Sequence, residues 1–282
     1  MGVHSGEIGI GPTEVLGLRV SVAALARVTL PHPETEQKML ALERKATFRL
    51  DGAQGEVIAQ PFGGGVRILQ PERLCEQMGD FHYDSLRSRE EQDFRILIRG
   101  ADWNQFKQFC LSAFRAAVAE NGGDAAVLEA DPARELAEEF EDTLQVALSA
   151  AQYRLKPLEL LVENEPVPTH SPRAPLLPTV RIYVVDEADL LDAGLIRRVQ
   201  ANSTEVSDEE LAERAAAQAQ QSGRGRANAA LTLAVEELTE AYRSLPAERR
   251  SETITFRGHR LAGNTSAVLG STCAPIYERF LL

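Results

Sequence analysis

The sequence lacks an excess of positive charge. It carries 42 acidic against 30 basic side chains in 282 residues, which gives a net charge of −12. Binding to nucleic acid or to an anionic membrane depends on a basic face that attracts phosphate. Arg249, Arg250, Arg257 and Arg260 lie close together in the sequence, but a solvated surface accounts for them. The composition therefore argues against nucleic acid and membranes as partners.

Paired cysteines and long apolar runs are also missing. Cys75, Cys110 and Cys273 are far apart and form no CxxC pair, which argues against a zinc ribbon or a dithiol redox site. No stretch approaches the roughly 20 apolar residues that a membrane-spanning helix requires. The first residues lack the basic and apolar segments of a secretory signal. These absences predict a soluble cytoplasmic protein with reduced thiols.

No strong nucleotide-binding or nucleophile motif is present. The triple glycine (Gly63, Gly64 and Gly65) precedes the strand-like VRIL, whereas a phosphate loop leads into a helix, so we predict a turn or bulge there. VVDEAD at 184–189 resembles the Walker B strand of DEAD-type helicases. Because the chain has no GxxxxGK[ST] loop to hold a triphosphate, we exclude an ATPase. No GxSxG elbow occurs either.

Hydrophobic spacing predicts alternating strands and helices in the first half of the chain. Residues 15–30 alternate as a strand does, and Pro31 ends the pattern. Asp102 with Gln105 forms a capping box before an apolar stripe at helical spacing. The remaining predicted elements are a short helix at 34–44, an antiparallel meander of 45–50, 56–60 and 65–69, a helical turn from Pro71 to Gly79, a strand at 94–98, and a helix from Pro132 to about Leu148.

A proline-rich segment at 163–178 separates this half from the rest. Its five prolines exclude a regular helix or central strand, so we interpret it as a linker or a long surface crossing. Beyond it, Ser207 and Glu210 form a second capping box, and the apolar end of the chain predicts docking on the protein or on a partner. The other elements predicted there are a strand at 180–185, a helix at 187–199, a helix at 231–245 and a strand at 253–256.

These elements predict an α+β protein. We expect a small, mostly antiparallel sheet packed with amphipathic helices, and a helix-rich C-terminal half. The expected organisation is a mobile N-terminus at 1–14, an α+β domain at 15–162, the crossing at 163–178, and a helix-rich α/β part at 179–282. That last part is either separate or shares the same sheet.

The stretch 60–100 holds the densest run of hydrogen-bonding and titratable side chains, concentrated at 81–95. His82 and Asp84 form an HxD pair, and alternate residues of a strand point to the same side. With His259 as a second histidine, they would match the two histidines and one carboxylate of a mononuclear non-haem metal centre. This hypothesis takes His82, Asp84 and His259 as ligands of a divalent metal.

A metal-free hypothesis uses the same region. His82 is the general base, Asp84 or Glu90 orients it, and Arg87 and Arg89 bind an anionic group of the substrate bidentately. The alternative is an exposed loop of mixed charge, in which Arg87 and Glu91 form an ordinary i,i+4 ion pair.

Three classes of function remain. The lack of a strong catalytic motif favours a binding or assembly protein that contacts another protein or a small anionic ligand. The alternative is an enzyme that uses His82, Asp84, Arg87 and Glu90, with or without a metal. A nucleic-acid binder is the least favoured class because of the acidic balance.

Overall fold

The computed structural model describes residues 17–49, 56–119, 127–129, 132–169 and 177–282. The predicted mobile N-terminus at 1–14 lies outside these ranges, and so does 170–176 within the proline-rich segment. No helix in the described ranges combines the length and the apolar character that crossing a membrane would need.

The described strands form one mixed sheet of 13 strands. The predicted small, mostly antiparallel sheet is therefore wrong. The main path through the sheet runs β11-β12-β3-β2-β1-β9-β7-β13, and the other five strands branch from it. The strands are β1 (Leu18–Pro31), β2 (Lys38–Arg49), β3 (Val57–Gln60), β4 (Phe62–Gly65), β5 (His82–Tyr83), β6 (Arg95–Ile98), β7 (Tyr153–Glu163), β8 (Val167–Thr169), β9 (Leu177–Leu190), β10 (Arg224–Ala234), β11 (Ile254–Phe256), β12 (His259–Leu261) and β13 (Tyr277–Leu281).

The centre of the sheet is the parallel pair of β1 and β9. Their register runs without interruption from Arg19 opposite Thr179 to Thr29 opposite Asp189. Both strands are buried along most of their length, as expected when helices or other layers cover both faces of a sheet. Local patterns do not reveal this pairing, because the two strands are far apart in sequence. That is why the sheet was predicted too small.

The second edge of β1 is shared by three strands in turn. β6 pairs with its beginning, β4 with its middle and β2 with its end. The segment β3–β4 changes partner at Pro61: β3 pairs with β2, and β4 pairs with β1. This change of partner places the triple glycine in the middle of the sheet.

Seven α helices among the described residues cover the sheet. Helix packing is close in two places: Phe140 stacks on Phe62 of β4 with ring centroids 4.8 Å apart, and a Cβ at Gly225 of β10 would lie within 3.0 Å of the Ala215 carbonyl. The helices are α1 (Pro71–Met78), α2 (Leu86–Glu90), α3 (Trp103–Ala119), α4 (Pro132–Leu144), α5 (Ala193–Glu205), α6 (Asp208–Ser222) and α7 (Val235–Ser244).

Three local predictions are wrong. Residues 38–44, predicted as helix, belong to β2, because β10 and β1 pair with them. Leu231, placed on a helical face, lies in β10, and the helix begins only at Val235. Gly63 and Gly64, predicted as a turn, pair with β1 as part of β4. In each case sheet pairing overrides the local pattern.

Other local predictions are confirmed. Ser207 caps α6 by accepting a hydrogen bond from the Glu210 N–H, as the capping box predicts. Gly79 follows the last residue of α1 with a positive φ of 80°. The apolar C-terminus docks on the protein as β13, whose Phe280 packs against the core while Leu281 is 80% exposed.

Candidate functional site

A cleft of about 460 Å³ opens between β4 and α4. This volume lies in the range of small-molecule sites, roughly 300–1,000 Å³. The triple glycine forms its floor, α4 forms one wall, and α2 with β6 contributes to the opposite wall. We call it the glycine cleft.

The floor holds two carboxyl groups in space that glycine leaves open. A Cβ at Gly64 would lie within 3.0 Å of the Glu135 carboxylate, and a Cβ at Gly65 within 3.0 Å of the Asp93 carboxylate. Both acids line the cleft. Glycine is therefore needed at 64 and 65 because two acidic side chains occupy the positions that other side chains would take.

Asp93 is buried and incompletely paired. The residue is 6% exposed, and its Oδ2 lies 3.1 Å from Nε of Arg95. Its Oδ1 has no hydrogen-bond donor among the described residues. Burial raises the pKa of Asp93, and the positive charge of Arg95 only partly opposes this. The carboxyl group therefore holds its proton more strongly than an exposed aspartate does.

Glu135 has a similar environment on the α4 wall. Burial raises the pKa of Glu135, against the lowering effect of the neighbouring Arg134 guanidinium. Arg134 contacts Glu135 and also pairs with Glu129 and Glu138, each at 2.8 Å. Its positive charge is thus shared among three carboxylates, which limits how far it can lower the pKa of any one of them.

A buried charge network closes the end of the cleft. Lys45 Nζ lies 3.1 Å from Glu139 and 2.6 Å from Glu43. The Glu43 side chain is fully buried, and its Oε1 accepts a hydrogen bond from Thr143. Burial, together with the hydrogen bond to Glu139, raises the pKa of Glu43 to about 8 despite the charge of Lys45. Glu43 therefore holds its proton more strongly than an exposed glutamate does.

The wall opposite α4 carries arginines. Arg87 pairs with Glu91 at 2.8 Å, but both side chains are exposed, so this ion pair is weak. The Arg67 side chain has no hydrogen-bond or ion-pair partner in the part of the chain that the structure describes. The cleft thus combines acids from α4 with guanidinium groups, and Glu91 and Asp93 add carboxylates beside the arginines.

The residues predicted for a metal-free site do not surround a common space. His82 is exposed on β5, and Glu90 is exposed at the end of α2. Asp84 is buried and serves the fold: Arg19 pairs with it at 2.7 Å, and the Ser88 hydroxyl donates to it at 2.6 Å. Only Arg87 of the four lines the glycine cleft.

The proposed metal ligands lie in separate environments. His259 is on β12, where its Nδ1 lies 3.2 Å from Asp208. Within the described ranges, no three histidine, cysteine or acidic side chains are grouped so that they could hold a metal ion. The metal centre of His82, Asp84 and His259 remains a prediction that no grouping of possible ligands among the described residues supports.

The sequence indicated one side of the cleft and missed the other. The triple glycine, Arg87 and Asp93 all fall within the stretch 60–100. Lys45 and Glu135 reach the cleft from distant segments, which were predicted only as a strand at 45–50 and a helix from Pro132 to about Leu148. The usable signal was the triple glycine, because a strand without side chains leaves room for another group.

Comparison with known proteins adds no relative. No family model, curated protein or solved structure matches this chain.

Proposed function

We propose that the protein binds a small zwitterionic ligand in the glycine cleft. The observation that carries this proposal is the unpaired Oδ1 of buried Asp93 at the floor of the cleft. A buried acceptor without a donor costs about 1–3 kcal/mol, so an N–H group from a ligand gains more there than at an exposed carboxylate. A cationic amine supplies both the donor and the opposite charge.

The raised pKa values indicate how the cation is recognised. Burial keeps Asp93 and Glu135 more protonated than usual while the cleft is empty of positive charge. A bound ammonium or guanidinium favours their ionised forms, so binding should weaken as the pH falls and these acids become protonated. This pH dependence is a measurable property of the cleft.

The anionic end of the ligand is placed by the opposite wall. Arg67 is free to pair, and the exposed ion pair of Arg87 with Glu91 is weak enough to exchange its partner. Guanidinium groups bind carboxylates and phosphates bidentately. Carboxylates and guanidinium groups around one cleft therefore favour a ligand that carries both an amine and an acid.

Calorimetry with matched probes tests this function. We expect L-lysine or L-arginine to bind at least about tenfold more tightly than putrescine, which has only amines, or succinate, which has only carboxylates. Binding should weaken when the titration is repeated at acidic pH, because protonated Asp93 and Glu135 no longer attract the amine. If no amino acid binds, or if the affinity is unchanged in acid, the proposal is wrong.

Three variants locate the site. Asp93→Asn removes the anionic charge at nearly constant shape, and Arg67→Ala removes an exposed guanidinium without touching the core. Each should weaken binding at least about tenfold. Arg89→Ala is the matched control, because Arg89 is exposed in the same region but does not line the cleft. Equal loss in all three variants would place the ligand elsewhere.

The catalytic hypothesis for His82 remains open to the same assays. His82→Ala changes an exposed side chain outside the cleft, and we expect it to leave amino-acid binding unchanged. Loss of binding in this variant would indicate that the binding site lies in the cluster at 81–95 instead.

A further inference from the structure

A second cleft, of about 490 Å³, lies on the far side of α4 between the end of that helix, α6 and β10. Its lining is rich in carboxamides and guanidinium groups and includes Gln145, Asn202, Gln218, Arg226 and Asn228. We call it the carboxamide cleft. Unlike the glycine cleft, it lies against the outer edge of a strand.

One edge of β10 is occupied by β2. Their antiparallel register runs without a shift from Arg224 opposite Arg49 to Ala234 opposite Met39. In an antiparallel pair, the N–H and C=O groups of alternate residues face the partner, and those of the residues between them face away. Every second residue of β10 therefore presents its backbone to the outer edge.

Side chains cap this outer edge at most positions. The N–H of Arg226 donates to Gln218 at 2.7 Å, that of Ala230 to Asn202 at 2.6 Å, and that of Thr232 to Ser203 at 2.8 Å. The carbonyl of Ala230 accepts from Nε of Arg44 at 3.0 Å. Residues 226, 230 and 232 are thus among the outward-facing ones.

Asn228 is the outward-facing residue between them. Its parity matches that of Arg226 and Ala230, so its N–H and C=O also point away from β2. Neither group has a hydrogen-bond partner among the described residues, and Asn228 lines the carboxamide cleft. The N–H groups of the outward-facing residues on both sides are capped, and at Asn228 a donor and an acceptor are both open and adjacent.

We propose that the carboxamide cleft binds one residue of an N-acylated amino-acid amide at the backbone of Asn228. In an extended residue the N–H and the C=O on the two sides of Cα point the same way, so they complement the open backbone pair. The ligand C=O accepts from the Asn228 N–H, and the ligand N–H donates to the Asn228 C=O. This is the pairing that a neighbouring strand would make, limited to one residue.

The capped neighbours decide the size of the occupant. A longer peptide strand added to this edge would have to displace Gln218 on one side and Asn202 with Arg44 on the other. Arg44 is 1% exposed and tied to the core, so it does not move out of the way. The opening therefore suits a single residue rather than an extended peptide.

The side chains around the opening add charge of both signs. Arg226 reaches Asp142 at 3.5 Å, and Arg214 pairs with Glu210 at 2.6 Å, with its side chain 53% exposed. Arg214 can exchange this partner because an exposed i,i+4 ion pair is weak. An amide ligand with a second polar group would find partners within the same cleft.

Substitution by proline gives a direct test. Asn228→Pro removes the proposed donor, and proline is tolerated in strands where the N–H makes no ladder bond. Asn228→Ala keeps the N–H and removes only the side chain. With N-acetylglycine methylamide as probe, we expect Asn228→Pro to weaken binding at least about tenfold and Asn228→Ala to change it less than about threefold. Equal affinity in the proline variant overturns the proposal.

Two measurements on the wild-type protein keep the test valid if the proline variant does not fold. The probe should slow amide hydrogen exchange at Asn228 and leave the exchange of Ala229, which faces β2, unchanged. N-acetylsarcosine methylamide lacks the N–H that would donate to the Asn228 C=O and should bind more weakly than the probe. Equal binding of the two compounds, or no protection at Asn228, overturns the proposal.

Discussion

The carboxylate of Glu135 occupies the position at which any side chain on residue 64 would begin. Gly64 belongs to β4 and Glu135 to α4, and a Cβ on the glycine would lie within 3.0 Å of the Glu135 oxygens. The absence of one methyl group on the strand thus makes room for an acid from the helix. This close approach defines the floor of the glycine cleft, and substitution of Gly64 tests it.

Substitutions at two neighbouring glycines should distinguish an effect on ligand binding from an effect on folding. In Gly64→Ala the new methyl meets the end of a flexible side chain, so we expect a loss of about 1 kcal/mol in unfolding free energy together with loss of amino-acid binding. In Gly63→Ala the methyl meets the Ala24 carbonyl at a φ of +141°, and we expect a loss above about 2 kcal/mol. Urea unfolding measures both values.

The relative size of the two losses in unfolding free energy is the decisive comparison. If Gly64→Ala destabilises the protein as much as Gly63→Ala, Glu135 is part of the core rather than a movable wall of the cleft.

Glu43 should make the protein less stable as the pH rises. Its pKa is about 8 in the folded protein against an ordinary value of 4.5, so between these values the folded state holds a proton that the unfolded state has lost. The unfolding free energy should fall across this window, by an amount on the order of 2–4 kcal/mol. Glu43→Gln should flatten the plot of unfolding free energy against pH. Relative to the wild-type protein, this variant should be most stable above pH 8.

Unfolding curves at pH 5, 7 and 9 test this linkage. Glu90→Gln, an exposed carboxyl outside the network, should keep the pH dependence of the wild-type protein. A Glu43→Gln curve parallel to the wild-type curve would show that Glu43 is not the source.

Arg44 should be one of the most costly side chains to remove. It is 1% exposed, and its guanidinium donates to Ala230 at 3.0 Å, to Val206 at 2.7 Å and to Asp208 at 2.8 Å. Arg44→Ala leaves these acceptors without a donor and opens a cavity. We expect a loss of about 3–5 kcal/mol in unfolding free energy.

Arg87→Ala is the matched control for Arg44, because its pair with Glu91 is exposed and should cost less than about 0.5 kcal/mol. Calorimetric melting of both variants makes the comparison, and a similar melting temperature for the two would contradict the structural role of Arg44.

Asp84 should stabilise the protein at neutral pH and lose this effect in acid. Burial alone would raise its pKa, but hydrogen bonds from Ser88 and Arg19 and the charge of Arg19 outweigh burial and lower it below the ordinary 3.8. The stability it contributes is therefore present above that value and disappears as the pH falls through the lowered pKa. We expect Asp84→Asn to cost about 1–3 kcal/mol at pH 7.

The difference between wild-type protein and Asp84→Asn should shrink steadily when unfolding is repeated at lower pH. A difference that stays constant from pH 7 to pH 2 would mean that Asp84 acts by shape alone.

The sequence by itself determined the features that depend on neighbouring residues. The strand ending at Pro31, the Ser207 cap and the helix ending before Gly79 follow from side-chain alternation, capping and backbone freedom, all of which operate within a few residues. The stretch 60–100 was also recognised as rich in polar groups, and Asp93 of the glycine cleft comes from it.

Only the tertiary structure decided how these pieces meet. The parallel pairing of β1 with β9, the change of partner at Pro61 and the approach of Glu135 to Gly64 join residues that are distant in the chain. For the same reason His82 and His259, which the sequence suggested as partners, lie in different surroundings. Backbone pairing and burial are satisfied over the whole sheet at once, and a local pattern carries no record of which distant segment will provide the partner.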